Sequence, residues 1–504
     1  MGVVAGVDSS TQSCTVELRD ADDGRLLGTG RAPHPPTSPP VSEQSADDWW
    51  AALGAALHAA ADAAGVDLAA VDAVSVAAQC HGSVLQAGDG TVLRPVKLWN
   101  DTTSAPQAAR MQAELGAAAW TRAVGSLPTA AFTLTKLAWL AEHEPDVLAR
   151  TRQVLLPHDH LTWRLTGRCV TDRSDASGTG YYAAHEGRWR PDLLERWVDP
   201  GRDWPGMLPE VLGPSDAAGT AATPAARALG LRPTALVGAG AGDQHAGALG
   251  VGLAAGDVAY SLGTSGVVLT TAVDPVHDPA GLVNGVADAA GGYLPLVCTL
   301  NCTKVTDLVG RLLGTDLAGL ARLALDAPVR PDRPVLAAFL DGERSPDRPL
   351  ATGLLAGLTG ATTRESLALA AFEGVLLGLW RGHRAIRSVG APADGAVLVV
   401  GGGARSAAYR QVLADILGQP VVVRDAPEAT ARGACLQAAA VLHATAVTAV
   451  RDAWRPADVL VTEPARRRAD VWERYLTLAD WAGLDAPHPP PAGTPPDPGV
   501  PSAE

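Results

Sequence analysis

Two runs of small hydroxyl residues constrain this chain more than any other feature. Each sits at the tip of an apolar hairpin, and each lies near the start of one half of the sequence. Val3 to Val7 is β-branched and apolar, turns through Asp8-Ser9-Ser10-Thr11 and returns as Cys14 to Arg19. Far downstream, Asp257 to Leu262 reads as a strand, Gly263-Thr264-Ser265-Gly266 as its turn, and Val267 to Thr271 as the return. Apolar runs separated by short polar turns are hairpins, and their recurrence predicts an internally duplicated fold. Backbone N–H groups and hydroxyls at such tips form concavities that hold phosphate oxygens without a lysine. Ordinary β-turns use the same residues, so the argument rests on there being two. Asp8 sharpens it, because a carboxylate beside phosphate is repulsive unless a cation such as magnesium lies between.

The need for a lysine-free phosphate site is real. Of the 40 basic residues only three are lysines, Lys97, Lys136 and Lys304, and none follows a glycine, so there is no Walker A loop. No V-A-I-K or H-R-D motif is present, which excludes a protein-kinase fold. The 504 residues exceed one ordinary core and predict two or three domains. A formal charge of -14 argues against nucleic acid as a partner. The longest apolar stretch, Leu367 to Trp380, carries Glu373 and is too short to span a bilayer. The opening MGVVAGVDSS lacks a basic region and reaches Asp8 too soon for a secretory signal. Six scattered cysteines with no CxxC suit a reducing cytoplasm.

Strand and helix signals alternate. Helices are predicted over Ala51 to Ala64, Ala105 to Leu115, Thr135 to Glu142, Arg364 to Ile386 and Ala407 to Leu417, with Asp159 as the N-cap of another ending at Leu165. Strands are predicted over Val71 to Ala77, Thr234 to Val237, Ala396 to Val400 and Val421 to Val423. The fold class is α/β with mixed sheets in two halves. Eight prolines in Asp485 to Glu504 predict a disordered tail.

Further candidates follow strand ends, where α/β sheets bind ligands. Gln79-Cys80-His81-Gly82 follows a buried strand and offers hydrogen-bonding groups suited to sugar hydroxyls, although a capped strand end reads the same way. Gly238 to Gly242 ends in Asp243-Gln244-His245, where Asp243 can meet a hydroxyl in a cleft or cap the helix that follows. Gly401-Gly402-Gly403 links a strand to a helix, as a nucleotide site or a tight connection. His158 and His160 are not read as a metal site, since no further ligand lies near them in sequence.

Together these residues resemble the FGGY family of carbohydrate kinases, and within it the branch that phosphorylates xylulose. Ala131-Phe132-Thr133, Lys136 to Leu140 and Glu142-His143 fit its first signature, with Ala131 outside the usual set. Gly353 to Leu358 with Leu367 to Glu373 fits the second, with Ser366 where an amide or acid is usual. Leu98 to Asp101 and Thr171 to Ser177 add to the likeness, which runs to about residue 484. The resemblance implies two actin-like, ribonuclease H-like domains, residues 1–245 and 246–484, with ATP and sugar meeting in the cleft between them. It implies ATP and Mg2+, with Asp243 as catalytic base and Asp8 and Asp243 on the magnesium side. Gln79, Cys80, His81, Trp99 and Gln244 would contact the sugar, Cys80 standing where methionine is common. Ser10, Thr11, Gly263, Thr264, Ser265, Gly402, Gly403 and Ser406 would hold the nucleotide. The expected activity is phosphorylation of D-xylulose to D-xylulose 5-phosphate. The alternatives are a kinase for ribulose or another ketose or polyol, and a non-catalytic actin-like nucleotide switch. A small-molecule sugar is the expected partner, with no nucleic acid or membrane, a homodimer compatible with the resemblance, and a hinge near Gly247 to Gly256.

Overall fold

The computed structural model describes residues 2–485. Two mixed sheets organise it. In the first, the strand Val3–Ser9 pairs antiparallel with Ser13–Asp20, which pairs antiparallel with Leu26–Pro33. On its other side Val3–Ser9 pairs parallel with Val71–Ala78, followed by parallel Leu236–Gly238 and antiparallel Ala217–Thr220. The second sheet repeats this order. Val258–Leu262 pairs antiparallel with Gly266–Thr270, which pairs antiparallel with Tyr293–Thr299. On the other side come parallel Val397–Val400, parallel Val421–Arg424 and antiparallel Asp458–Thr462. The duplication expected from the two hairpin tips therefore holds over six strands of each sheet, in a two-domain α/β fold; the second sheet adds Asn284–Ala287, antiparallel to Tyr293–Thr299.

Each sheet buries its own apolar cluster. From the first strand, Ala5 and Val7 pack with Trp49, Leu53 and Leu57 of the helix Ala46–Ala64. That helix begins earlier than its alanine-rich run suggests, because the Ser45 side chain accepts the Asp47 N–H at 3.2 Å and caps it. The second core gathers Tyr260, Val268 and Val399 with Phe372 and Leu376 of the 25-residue helix Arg364–Ser388. The helices Ala105–Leu115 and Ala407–Leu417 coincide with their expected spans.

Two expectations need correction. Asp159 is not an N-cap: the helix starts at Pro157, and Asp159 in its first turn reaches back to accept the Leu156 N–H at 2.7 Å. Proline at the first helical position displaced the cap. The expected tail, 485–504, begins with an ordered residue, since Asp485 accepts from Arg348 Nε at 3.0 Å; residues 486–504 lie outside the described residues.

One late helix belongs spatially to the first sheet. Ala429–Leu442 packs on Val4, Ala73 and Ala77 through Ala434, Cys435 and Ala438. It also crosses the helix Asp243–Gly250 at backbone contact. A Cβ at Gly433 would lie 1.9 Å from the Ala246 carbonyl oxygen, one at Gly250 1.8 Å from that of Ala429, and one at Gly6 2.0 Å from that of Ala431. Gln437 locks the crossing by accepting the Gly240 N–H at 2.8 Å and donating to the Gly240 carbonyl at 3.0 Å. A sequence division at residue 245 is thus bridged by a helix from far beyond it.

The crossing tolerates no side-chain atom. Gly433→Ala is expected to lower the melting temperature by roughly 3–10 °C, the cost of overpacking a close contact. Thermal denaturation checks this, and an unchanged midpoint would show that the helices can separate freely.

Candidate active site

Parallel pairing brings the chemistry to one edge of the first sheet. Asp8 lies opposite Ala77 and Ser9 opposite Ala78, so Asp8 and the Gln79-Cys80-His81 run emerge together. The short strand Ala241–Gly242 pairs with Ala77 and Ala78 and delivers Asp243 to the same edge. Such carboxyl ends of parallel strands, at a point where chains diverge, are where α/β sheets hold ligands.

Asp243 is the first residue of the helix Asp243–Gly250. Its Oδ1 accepts the Gln244 N–H at 2.8 Å and the Cys80 thiol at 3.4 Å. Burial pushes its pKa up to about 6, with those donors opposing the rise. Asp8 is pushed up to about 7, first by burial and then by repulsion from Asp243 and Glu428, against a hydrogen bond from the Ser10 hydroxyl. No arginine or lysine forms an ion pair with either carboxylate among the described residues. Two uncompensated acids at one edge suit a divalent cation. Magnesium takes one or two carboxylates and completes its shell with phosphate and water.

His81 is held in an unusual backbone state, with φ of 67°. Its carbonyl accepts from the ammonium of Lys136 at 2.8 Å and the hydroxyl of Thr133 at 3.1 Å, and its ring stacks on Phe132 at 5.2 Å. The first signature segment thus clamps the strand end. Burial, aided by Lys136, holds the His81 pKa well below its usual value, so the ring is neutral. Behind it lies a buried cluster: His158 Nε2 is 3.0 Å from Asp159, 3.4 Å from Asp172 and 3.6 Å from Asp175. Burial works against charge on His158, but the three carboxylates outweigh it and raise its pKa to about 9. Asp175 in turn accepts the His81 N–H at 3.4 Å. Asp159 adjoins His158 in sequence, but Asp172 and Asp175 were not visible around it because they arrive from the strand Val170–Asp172 and the short helix Arg173–Ala176.

Two cavities meet at Asp8, Ser10 and Glu428. The larger, about 680 Å³, runs from Asp243 and Gln244 past Ser261, Val267 and Leu269 to Gly401, Gly402 and Arg405. Gly401 adopts φ of 82° and sits against the Leu262 carbonyl, a turn that only glycine makes easily. The smaller, about 650 Å³, is walled by Thr11, Thr15, Arg31, His34, Trp99 and Asn100. There the Trp99 indole donates to Thr11 Oγ1 at 2.8 Å.

Of the residues singled out in sequence, Asp8, Ser10, Asp243, Gln244 and Gly402 line the larger cavity, and Thr11 and Trp99 the smaller. Cys80 stands beside Asp243 at the strand edge, while His81, next along the chain, donates its N–H to Asp175; neither lines either cavity. Gln79 is buried and donates to Gln44 at 3.1 Å. Gly263, Thr264 and Ser265 form the second hairpin tip, pinned by the Thr303 and Cys302 amides, and do not line either cavity. Gly403 packs against Leu262, and Ser406 precedes the helix Ala407–Leu417. Sequence reasoning missed the loop Asp425 to Glu428 and the side chains of Arg31 and Glu428. Only a loop between a parallel strand and a buried helix marked the first of these.

Residues 3–250 match the N-terminal domain of the FGGY family of carbohydrate kinases, and residues 258–442 its C-terminal domain. The chain is similar to a protein named xylulose kinase from Streptomyces coelicolor, 42% identical over 96% of this chain and 97% of that one. It is 33% identical to the xylulose kinase of Escherichia coli over 83% of this chain and 86% of that one. Among solved structures, a xylulose kinase from Bifidobacterium adolescentis superposes with a TM-score of 0.84 at 38% identity, covering 95% of this chain and 99% of that one. With its two halves in register with both domains and a shared cleft between them, the chain belongs to the FGGY family of carbohydrate kinases.

Proposed function

We propose that this carbohydrate kinase transfers the γ-phosphoryl group of ATP to the terminal hydroxyl of D-xylulose, giving D-xylulose 5-phosphate. The observation that carries the reading is the convergence of Asp8, Asp243 and Cys80 at one strand edge, the two acids lining a cavity that extends to the glycine turn at Gly401. The near-full-length likeness to proteins named xylulose kinase supports the choice of sugar.

The chemistry follows from the groups present. Gln79 Oε1, His81 Nδ1 and His245 Nε2 are buried without protein partners, and they supply acceptors and donors for sugar hydroxyls. Asp243 accepts the proton of the attacking hydroxyl, and its pKa of about 6 leaves it ionised at neutral pH yet basic enough to work. Asp8 and Asp243 would hold magnesium, which supplies charge neutralisation at the phosphates. Gly401 and Gly402 leave room for the adenosine against Val399, Val400 and Leu269. Most of the rate enhancement then comes from alignment and charge rather than covalent chemistry.

ADP release across a panel of ketoses and polyols is expected to be fastest with D-xylulose; a clear preference for ribulose or glycerol would reassign the substrate. Asp243→Asn should lower kcat by roughly 10²–10⁴-fold with sugar affinity little changed. Both raised pKa values have the same consequence. The ionised forms are the working ones, so kcat/KM should fall as pH drops through about 7 and about 6. A profile flat down to pH 5, roughly one unit below the lower value, would remove Asp243 from the role of base.

A further inference from the structure

Phosphoryl transfer spreads negative charge over the moving group, and enzymes answer it with cations placed in advance. Here the need is acute, because Asp8, Asp243 and Glu428 already crowd the site with negative charge. Neither hairpin tip contains a lysine or arginine. The three lysines are all committed elsewhere. Lys97 pairs with Glu43 at 3.2 Å and Asp101 at 3.4 Å, Lys136 holds the His81 carbonyl, and Lys304 donates to the Leu340 carbonyl at 3.2 Å. His34 lies 2.8 Å from the Ser10 carbonyl through Nδ1, and burial lowers its pKa, so it is neutral. Of the arginines lining the larger cavity, Arg424 is consumed by the Val251 and Gly252 carbonyls and Asp458, and Arg405 stands beside Gly402 on the far wall.

Arg31 is different. It lies on the strand Leu26–Pro33, directly opposite Thr15 of the strand that leaves the first hairpin tip. Directly opposed residues share a sheet face, and both line the smaller cavity with Asp8, Ser10 and Thr11. Its Nε donates to Ser13 Oγ at 3.0 Å, which anchors the guanidinium alongside the tip. The two terminal nitrogens have no hydrogen-bond partner among the described residues. The charge is close enough to act on Asp8, lowering its pKa against the larger effects of burial.

We propose that Arg31 is a catalytic residue of the transfer, its free guanidinium nitrogens binding the oxygens of the moving phosphoryl group. This rests on the kinase reading above. The sugar hydroxyl oxygen forms a bond to the γ-phosphorus and gives its proton to Asp243, while the bond from that phosphorus to the β–γ bridging oxygen breaks and its electron pair leaves with ADP. Arg31 exchanges no proton; it offsets charge, and its planar fork matches phosphate oxygens in pairs.

Arg31→Ala is expected to lower kcat by roughly 10²–10³-fold, the usual loss for one such donor, with the KM for D-xylulose within about threefold and the melting temperature unchanged. Arg31→Gln, which keeps a hydrogen-bonding chain on the strand, should lose nearly as much. By calorimetry, the affinity for D-xylulose 5-phosphate should weaken about tenfold or more in Arg31→Ala, while that for D-xylulose holds, since a charged hydrogen bond is worth that much. Restoring a cation from the opposite strand gives the decisive comparison. Thr15→Lys added to Arg31→Ala should recover at least about tenfold in kcat, which a merely structural arginine would not allow. Turnover of Arg31→Ala within threefold of the parent, or equal loss of affinity for both sugars, overturns the proposal. If the parent fails to bind D-xylulose, the substrate reading fails instead. Sugar-free hydrolysis of magnesium-ATP, expected to fall in Arg31→Ala, then still decides the role of the cation.

Discussion

The structure is organised around a repulsion. Asp8 and Asp243 reach the same sheet edge from different strands and are stripped of water, and the charge of Asp243 adds to the cost of ionising Asp8. An arrangement of this kind costs stability when both acids are ionised, and a cation, or a proton on Asp8, would relieve it. Everything nearby holds the two acids in place despite that cost. The Ser10 hydroxyl and the Gln244 N–H bond to them, and Asp243 sits at a helix N-terminus, whose dipole favours negative charge.

That helix is fixed in turn by the crossing at Gly250 and Gly433, where backbones touch. The same late helix seats on Gly6 of the strand that carries Asp8. Both acids are therefore referred to one rigid element, Ala429–Leu442, which leads out of the loop bearing Glu428 and lining both cavities. The crossing ties the end of the first half to a helix of the second by backbone contact. The stretch Gly247 to Gly256, expected from its glycines to be a hinge, begins inside it and is tightly packed at Gly250.

Much of this was legible in the chain. The two hairpin tips announced the duplication because strand pairing and turn chemistry are local. Asp243, Cys80 and His81 could be singled out because strand ends carry small and polar residues after apolar runs. What stayed hidden depends on pairing between distant segments. Arg31 is an exposed strand residue, and only the register that sets it opposite Thr15 places it at the cavity. Two of the acids around His158, Asp172 and Asp175, arrive from the strand Val170–Asp172 and the short helix Arg173–Ala176. Gly263 to Ser265 illustrates the reverse: its composition matches the first tip, yet the structure pins it to the start of the helix Thr303–Leu312 and leaves Ser261 and Val267 to line the cavity.

The account turns on where the attacking hydroxyl lies relative to Asp243. A crystal structure with D-xylulose and a non-hydrolysable ATP analogue measures it directly. The terminal hydroxyl oxygen should lie within about 2.6–3.2 Å of an Asp243 carboxylate oxygen, the reach of a general base, with the γ-phosphorus in line beyond it. A sugar bound with that hydroxyl turned away from Asp243, while the phosphate is correctly seated, would contradict the mechanism.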